Sequence, residues 1–388
     1  VTVLSTFFML GLLATNQAVL LGKIEILGTN SDLSGNTGKL NDGSPSNLLG
    51  GFGSALASGT KPNEFYCLPD RGPRDGAVNY PCRWHQVKLA LSAEGKLNFS
   101  LQKTILLQDR NGELLQGLSS DLKHRFDPEG LRVGPWPGFL PQRRNRVGPA
   151  FYVSDEYQPK VAIFQQDGSL AHELPTPVKF LVSKPHPDAQ TEEAQNKTGR
   201  QPNKGFEGLA IDSEAHELWT ALQGPLLQDK KSGGGKWTRL VRFNLDKGQA
   251  NGEFVYPLDT PNCGISEILW VGPGKFLVLE RDSFAGLEAK VKRVYLVKQS
   301  DATDVSSLDS LSEAIGPVKT CQKRLLVDLL GPQLGLAGKL FPPKWEGMAW
   351  GEANDGDPVL WLISDNDFEP KSSTWVLALK IPAVMLRD

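Results

Sequence analysis

The chain has 388 residues and a formal net charge of −2, with 42 Lys and Arg against 44 Asp and Glu. That balance supplies no polycation for nucleic acid and no polybasic run for an anionic membrane. Its 40 Gly and 27 Pro suit many short strands joined by turns better than long helices.

The first run, "VTVLSTFFMLGLLATNQAVLL", is apolar and carries no charge before Lys23. It is short for a spanning helix and resembles the h-region of a secretory signal, with Ala14 and Ala18 as candidate last residues. Residues 1–21 are therefore expected to be an export segment and 22–388 a single domain, secreted or periplasmic. A buried N-terminal segment is the plainer reading. No later stretch is long and apolar enough to span a bilayer.

Next comes "GKIEILGT" (22–29), a strand with no unit of its own. The first unit follows as "GFGSALAS", "NEFYCLPD", "WHQVKLAL" and "FSLQKTILL". Within it lie the Arg-rich turn "PDRGPRDG" (69–76) and "CRWH". Arg71 and Arg74 have the fork that grips an oxyanion, and His85 beside Arg83 is a candidate acid or base. Salt bridging and simple packing are the plainer alternatives.

From Glu129, "EGLRV" leads to "AFYVSDE", "KVAIFQQ" and "SLAHELPTP". From Glu207, "EGLAID" leads to "HELWTALQ", "RLVRFNL" and "GEFVYPL". From Glu267, "SEILWV" leads to "KFLVLERD", "KRVYLVKQ" and "QKRLLVDLL". From Glu346, "EGMAWG" leads to "LWLISDN" and "TWVLALKI", where the unit stops one strand short.

Four short β-rich runs per unit, joined by turn residues, is the pattern of a β-propeller blade. The fold class is thus all-β, a single propeller of four-stranded antiparallel blades. Five units are counted. The long inserts 132–149, 178–203 and 301–320 leave room for a sixth, and otherwise read as loops, with one short helix expected in 304–316. The spare strand 22–29 completes the last blade and closes the ring. A closed ring has no free sheet edge, so a monomer is expected.

Geometry then speaks about function. In a propeller the first strand of each blade lines the channel, and the second returns antiparallel beside it. Starts of first strands and ends of second strands share one mouth. That places Asp70, Glu129, Asp155, Glu207, Glu267, Glu346 and Asp365 together as candidate metal ligands. An all-carboxylate set with few His or Cys suits Ca²⁺ better than Zn²⁺. Arg71, Arg281, His85 and Glu156 are the candidate catalytic groups, and Arg83 and Lys344 the candidate substrate-binding cations. The plainer reading has each Glu capping backbone amides and each Asp forming a turn.

Cys67, Cys82, Cys263 and Cys321 include no C-x-x-C pair, which argues against a zinc site. An even count in an exported chain predicts disulfides, Cys67–Cys82 and Cys263–Cys321; four buried thiols are the alternative. Asn98-Phe-Ser and Asn196-Lys-Thr are glycosylation sequons.

The set "FYCLPDRGP", "RWH", "FDPEGLRV", "FYVSDEYQPKVAIFQQDGSL", "NKGFEGLAID" and "EGMAW…LWLISDND" resembles the phytase-like family with esterase-like activity of phytase, over roughly residues 50–380. The resemblance implies a propeller and a hydrolase of phosphoesters or other esters. By motif it carries over to Asp70 and Arg71, His85, Glu129, Ser154, Asp155 and Glu156, Glu207, and Asp365 and Asn366. Pro69 stands where a small residue is usual, and Trp84 where Phe is commoner. Ser266-Glu267 replaces Glu-Gly, keeping a carboxylate displaced by one residue.

The leading expectation is an exported, metal-assisted hydrolase acting on a small anionic or ester substrate at the acidic mouth. A Ca²⁺-dependent lactonase-like esterase and a non-catalytic propeller that binds a ligand or partner are the competing readings.

Overall fold

A computed structural model describes residues 17–28, 31–92, 94–119, 123–141 and 148–387. Most of the expected export segment lies outside these residues. The chain forms five four-stranded antiparallel sheets. Blade 1 is β2 (Ala55–Ser58), β3 (Glu64–Leu68), β4 (Arg83–Leu91) and β5 (Leu97–Leu106). Blade 2 is β6 (Pro128–Gly134), β7 (Ala150–Asp155), β8 (Lys160–Phe164) and β9 (Leu170–Leu174). Blade 3 is β10 (Phe206–Asp212), β11 (Glu217–Leu222), β12 (Trp237–Asn244) and β13 (Gln249–Pro257). Blade 4 is β14 (Gly264–Gly272), β15 (Lys275–Arg281), β16 (Lys292–Lys298) and β17 (Gln322–Asp328).

Blade 5 is made from both ends of the chain. β18 (Lys344–Asn354), β19 (Asp357–Asp365) and β20 (Ser373–Lys380) are completed by β1 (Val19–Leu27). β1 pairs antiparallel with β20 from Val19↔Lys380 to Leu27↔Ser373. This is the expected closure, and it starts inside the run assigned to export: Val19, Leu20 and Leu21 belong to the strand.

The core is divided among the blade junctions. One apolar cluster lies between blades 1 and 2, with Tyr66, Trp84, Phe151, Val153 and Phe164. Others lie between blades 2 and 3 around Tyr152, Ile163, Leu209 and Leu218, and between 3 and 4 around Trp219, Phe254, Ile268 and Phe276. The fourth joins blades 4 and 5 through Leu277, Leu296, Trp345 and Leu362. The last joins blades 5 and 1 through Trp361, Val376, Leu56 and Phe65. Strand residues alternate between two faces, and here both faces of a blade are buried, each against a different neighbour. No blade is complete alone.

The disulfide expectation fails. All four cysteines are free and buried. Cys67 sits in the blade 5–1 core and Cys82 in the blade 1–2 core, on opposite faces of one sheet. Cys263 and Cys321 share the blade 3–4 core without bonding. The inserts also differ in detail. Residues 178–203 contain a short helix, Ala189–Gln195, capped by Asp188 accepting from the Thr191 amide. Within 304–316 the expected helix is a single 3₁₀ turn, Leu311–Glu313. Asn98 is exposed, whereas the Asn196 amide is buried and donates to the Lys184 and Glu192 carbonyls, both at 2.8 Å.

Trp84 stacks on Phe151 with ring centroids 4.6 Å apart, and among the described residues its buried indole N–H has no hydrogen-bond partner. Truncation and isosteric replacement should therefore differ sharply. Trp84→Ala should cost ~3–5 kcal/mol of unfolding free energy. Trp84→Phe, which keeps the stacked ring and removes the orphaned donor, should cost under about 1.5 kcal/mol. Urea unfolding at constant m-value measures both; equal losses would contradict the junction argument.

Candidate active site at the acidic mouth

Close packing at the axis sets the geometry of the mouth. In β6, β10 and β18 the ladder to the second strand slips at the Glu-Gly pair: between Pro128 and Leu131, Phe206 and Leu209, and Trp345 and Gly347. A β-bulge re-aims the side chain it carries. The glycine beside it is a steric requirement. A Cβ on Gly130 would lie 2.5 Å from the Glu207 carbonyl oxygen, on Gly208 2.3 Å from the Ile268 nitrogen, and on Gly347 2.6 Å from the Leu56 nitrogen. In each case the obstacle is the backbone of the next blade's innermost strand.

Blade 4 departs from the pattern. Its slip lies between Ile265 and Glu267, so Ser266 takes the place of the glutamate and Glu267 that of the glycine. Ser54, just before β2, holds the matching place in blade 1. The ring at the mouth is therefore Ser54, Glu129, Glu207, Ser266 and Glu346.

The ends of the second strands add a second tier. Arg281 pairs with Glu346, and Gln223 donates to Glu207. The backbone N–H of Arg71 donates to Asp127 Oδ1 at 3.2 Å, and its guanidinium pairs with Asp127 and lies 3.6 Å from Glu156. Ser54 donates to Asp365 at 2.8 Å, and Lys344 pairs with Asp367. Two triads result, Asp127/Glu129/Glu156 and Asp70/Asp365/Asp367. Within each, one carboxylate oxygen per residue lies within 4.8 Å of the others.

Carboxylates outnumber cations here, and the electrostatics reflect it. Burial, then the Asp127 charge, pushes Glu156 up to about 7 against the pull of Arg71 and Arg200. Burial pushes Asp70 up to about 7 against Lys344 and Arg71. Glu129, Glu207 and Asp365 are held well above the usual carboxylate range, first by burial and then by neighbouring carboxylates. Burial works against the charges of Arg71, Arg281 and Lys344, but the surrounding acids outweigh it and raise all three. Glu156 and Glu207 meet side by side, an arrangement that needs a shared proton or a cation. Glu156 Oε1 is buried without a partner, and the buried Glu129 carboxylate has no hydrogen bond or ion pair among the described residues. Next to Gln223, which donates to Glu207, opens a cavity of about 140 Å³ lined by Lys204, Gln223, Ser266, Arg281 and Ser283.

Four of the expected site residues stand elsewhere. Asp155 lies behind the mouth, accepting from the Asp127 and Tyr157 amides at 3.2 and 2.9 Å; it shapes the loops that carry Asp127 and Glu156. Glu267 pairs with Arg132 at 3.0 Å and accepts from the Leu209 amide at 3.1 Å. Arg132 also donates to the Leu56 and Ile268 carbonyls at 3.0 and 2.7 Å, so this pair crosses the channel below the mouth. Arg83 is fully buried and spends its donors on Asp32, Pro81 and Ser46. His85 is buried inside blade 1, with Nδ1 2.9 Å from Thr104 Oγ1; burial, then Arg83, depresses its pKa to about 3. Asp127 was missed. Its signal was its place two residues before Glu129 in "FDPEG".

The sequence profile of the phytase-like family, described as esterase-like activity of phytase, matches residues 47–368. The chain belongs to the phytase-like family. It is 28% identical to an uncharacterised secreted protein of Arthroderma benhamiae, over 84% of each chain. Among solved structures it is similar to a glycosyl hydrolase from Bacteroides ovatus, at 10% identity and a TM-score of 0.39 over 84% of this chain and 82% of the other. Hydrazine synthase of Kuenenia stuttgartiensis matches at 8% identity and a TM-score of 0.37, over 86% and 80%. Likeness at that level carries no argument about activity.

The mouth predicts an unusual pH response. A carboxyl with a raised pKa binds more protons folded than unfolded. Its contribution to stability is present below its unfolded value near 4 and is lost as the pH rises through the folded one. For Asp70 and Glu156 that loss runs up to about 7. His85 acts oppositely, penalising the fold as the pH falls below its ordinary 6.5, but it is one group against several. In chelator, the melting temperature should be higher at pH 5.5 than at pH 8, by about 3 °C or more. Calcium at pH 8 should recover the difference. A metal-free protein that gains stability between pH 5.5 and 8 would contradict this.

Proposed function

We propose that this phytase-like propeller is an exported, metal-assisted hydrolase of phosphoesters or related esters that works at the acidic mouth. The observation that supports it best is the triad of Asp127, Glu129 and Glu156: among the described residues Glu156 Oε1 is buried without a partner, and the buried Glu129 makes no hydrogen bond or ion pair. Burying such charges without compensation is costly. The donor set is entirely oxygen, which suits a hard divalent cation, and Ca²⁺ tolerates irregular carboxylate geometry best. Asp127, Glu129 and Glu156 would hold it. A cation bound there supplies Lewis-acid activation of water and of the ester oxygen.

The chain's own groups divide the remaining work. The cavity next to Gln223 admits the substrate, and Lys204 at its wall suits a negatively charged one. The Arg281 Nε–H is buried without a protein acceptor and offers itself to charge developing on an oxyanion. Arg71 holds the Asp127 and Glu156 carboxylates in place from the other side. Glu207 both adjoins the triad and reaches the cavity through Gln223. Burial and its carboxylate neighbours raise its affinity for a proton, which suits it to protonate the leaving oxygen. The secreted relative supports export, and the family description supports ester chemistry.

The test is turnover of p-nitrophenyl phosphate, phytate and short acyl esters or lactones, after chelation and with Ca²⁺ restored. Activity should vanish on chelation and return with Ca²⁺. Glu207→Gln should lower kcat by about 10²–10⁴ while leaving the Ca²⁺-dependent rise in melting temperature intact. Preference for acyl esters or lactones over phosphate esters would favour the lactonase-like reading. Ca²⁺ binding that raises the melting temperature with no turnover on any substrate would favour a binding propeller instead.

A further inference from the structure

The loop between β15 and β16 is tied down by hydrogen bonds, and it holds apolar side chains out into water. The Asp282 carboxylate, itself buried, accepts from the amides of Phe284, Lys290 and Val291 at 3.2, 2.7 and 2.9 Å and pairs with Lys292. The loop is also bound to the segment before β18: the Gly286 N–H donates to the Phe341 carbonyl at 2.9 Å. Gly286 has a φ of +55°, and a Cβ there would lie 2.8 Å from the Lys339 carbonyl oxygen. From these two tied segments Phe284 projects at 50% exposure, Leu287 at 67% and Leu340 at 81%.

Their position ties them to the mouth. Ser283 lines the cavity that holds Arg281 and Ser266. Ala285 and Leu340 line a second cavity, of about 240 Å³, that reaches Asp365. The apolar ridge therefore stands between two openings onto the acidic mouth. Exposed Lys290, Lys339 and Lys371 flank it, with the exposed carboxylate of Glu288 among them. The lysines come from three segments far apart in sequence, so no basic run announces them. Single exposed apolar residues need no explanation, but three on one pinned ridge beside a site do.

We infer that this ridge seats the mouth on a phospholipid surface, with Phe284, Leu287 and Leu340 entering the acyl boundary and the lysines meeting headgroup phosphates. A protein partner fits less well. Three tips offer roughly 300 Å², against the ~800 Å² per side of a stable protein interface. The inference rests on the hydrolase reading only for its consequence, that the substrates are amphiphilic esters whose headgroups enter the mouth. Docking itself stands apart from catalysis.

The experiment is co-sedimentation of the full protein with phosphatidylcholine vesicles containing one-fifth phosphatidylserine. Wild type is compared with Phe284→Ser/Leu287→Ser/Leu340→Ser and with Lys290→Glu/Lys339→Glu. Binding should fall at least ~10-fold in the first variant and should become weaker and less dependent on phosphatidylserine in the second. Melting temperature and turnover of soluble p-nitrophenyl phosphate should be unchanged in both. A wild type that does not sediment, or an apolar variant that sediments equally well, overturns the docking. Vesicle binding without turnover of any ester would sink the hydrolase reading and leave the docking standing. Soluble turnover without vesicle binding would do the reverse.

Discussion

The innermost strands of neighbouring blades approach so closely that no side chain fits between them at Gly130, Gly208 or Gly347. Much of the mouth follows from that contact. A strand pressed against another backbone gains from slipping its ladder by one residue, and the slip turns the preceding glutamate to the channel opening. Repeating this around a ring repeats the carboxylate. Concentration of acid at one end thus follows from axial packing. What makes it available for chemistry is that the protein leaves the resulting charge incompletely neutralised.

The same residue type meets two fates along the channel. Glu267, one position deeper, is answered by Arg132 and by a backbone amide, and the pair ties blades 1 to 4 together. Its Oε1 is thus spent on structure, while Oε2 is buried without a hydrogen-bond partner among the described residues and burial pushes the Glu267 carboxyl up to about 7. Glu129, Glu156 and Glu207 lie one layer out, where the cations present pair more closely with other acids, Arg71 with Asp127 and Arg281 with Glu346, and only Arg71 also reaches Glu156, at 3.6 Å. A buried charge with no partner either takes a proton or waits for an ion. Both outcomes depend on conditions outside the fold, as a switchable or catalytic site requires.

All five blades were legible because each strand is a short β-rich run punctuated by turn residues, and because the acidic-Gly motif marks each inner strand of blades 2, 3 and 5. Convergence on one mouth followed from antiparallel return alone. The errors share a cause. Arg83, His85 and Cys67 lie within one short stretch of blade 1, and their types suggest chemistry. The partners of Arg83 and His85, Asp32, Ser46 and Thr104, come from a leading loop and an outer strand that local pattern cannot bring near. The cysteine pairing failed for a related reason: alternate faces of a blade belong to different cores, so Cys67 and Cys82 diverge although they are close in sequence. Pattern locates strands, but which face a residue buries, and against what, is decided by the neighbouring blade.

The break in the repeat carries more information than the repeat itself. A fully regular ring would place five glutamates at the axis, crowding the opening and multiplying the repulsion. Ser54 and Ser266 interrupt it. Where Ser266 stands, the small side chain borders the cavity lined by Gln223, Arg281 and Ser283, and Gln223 in turn donates to Glu207. Where Ser54 stands, the hydroxyl instead satisfies Asp365, which faces Asp70 and Asp367 in the second triad. Of the two interruptions, one thus opens space and the other organises charge. The asymmetry turns a ring of similar blades into a mouth with a carboxylate triad on one side and a cavity on the other.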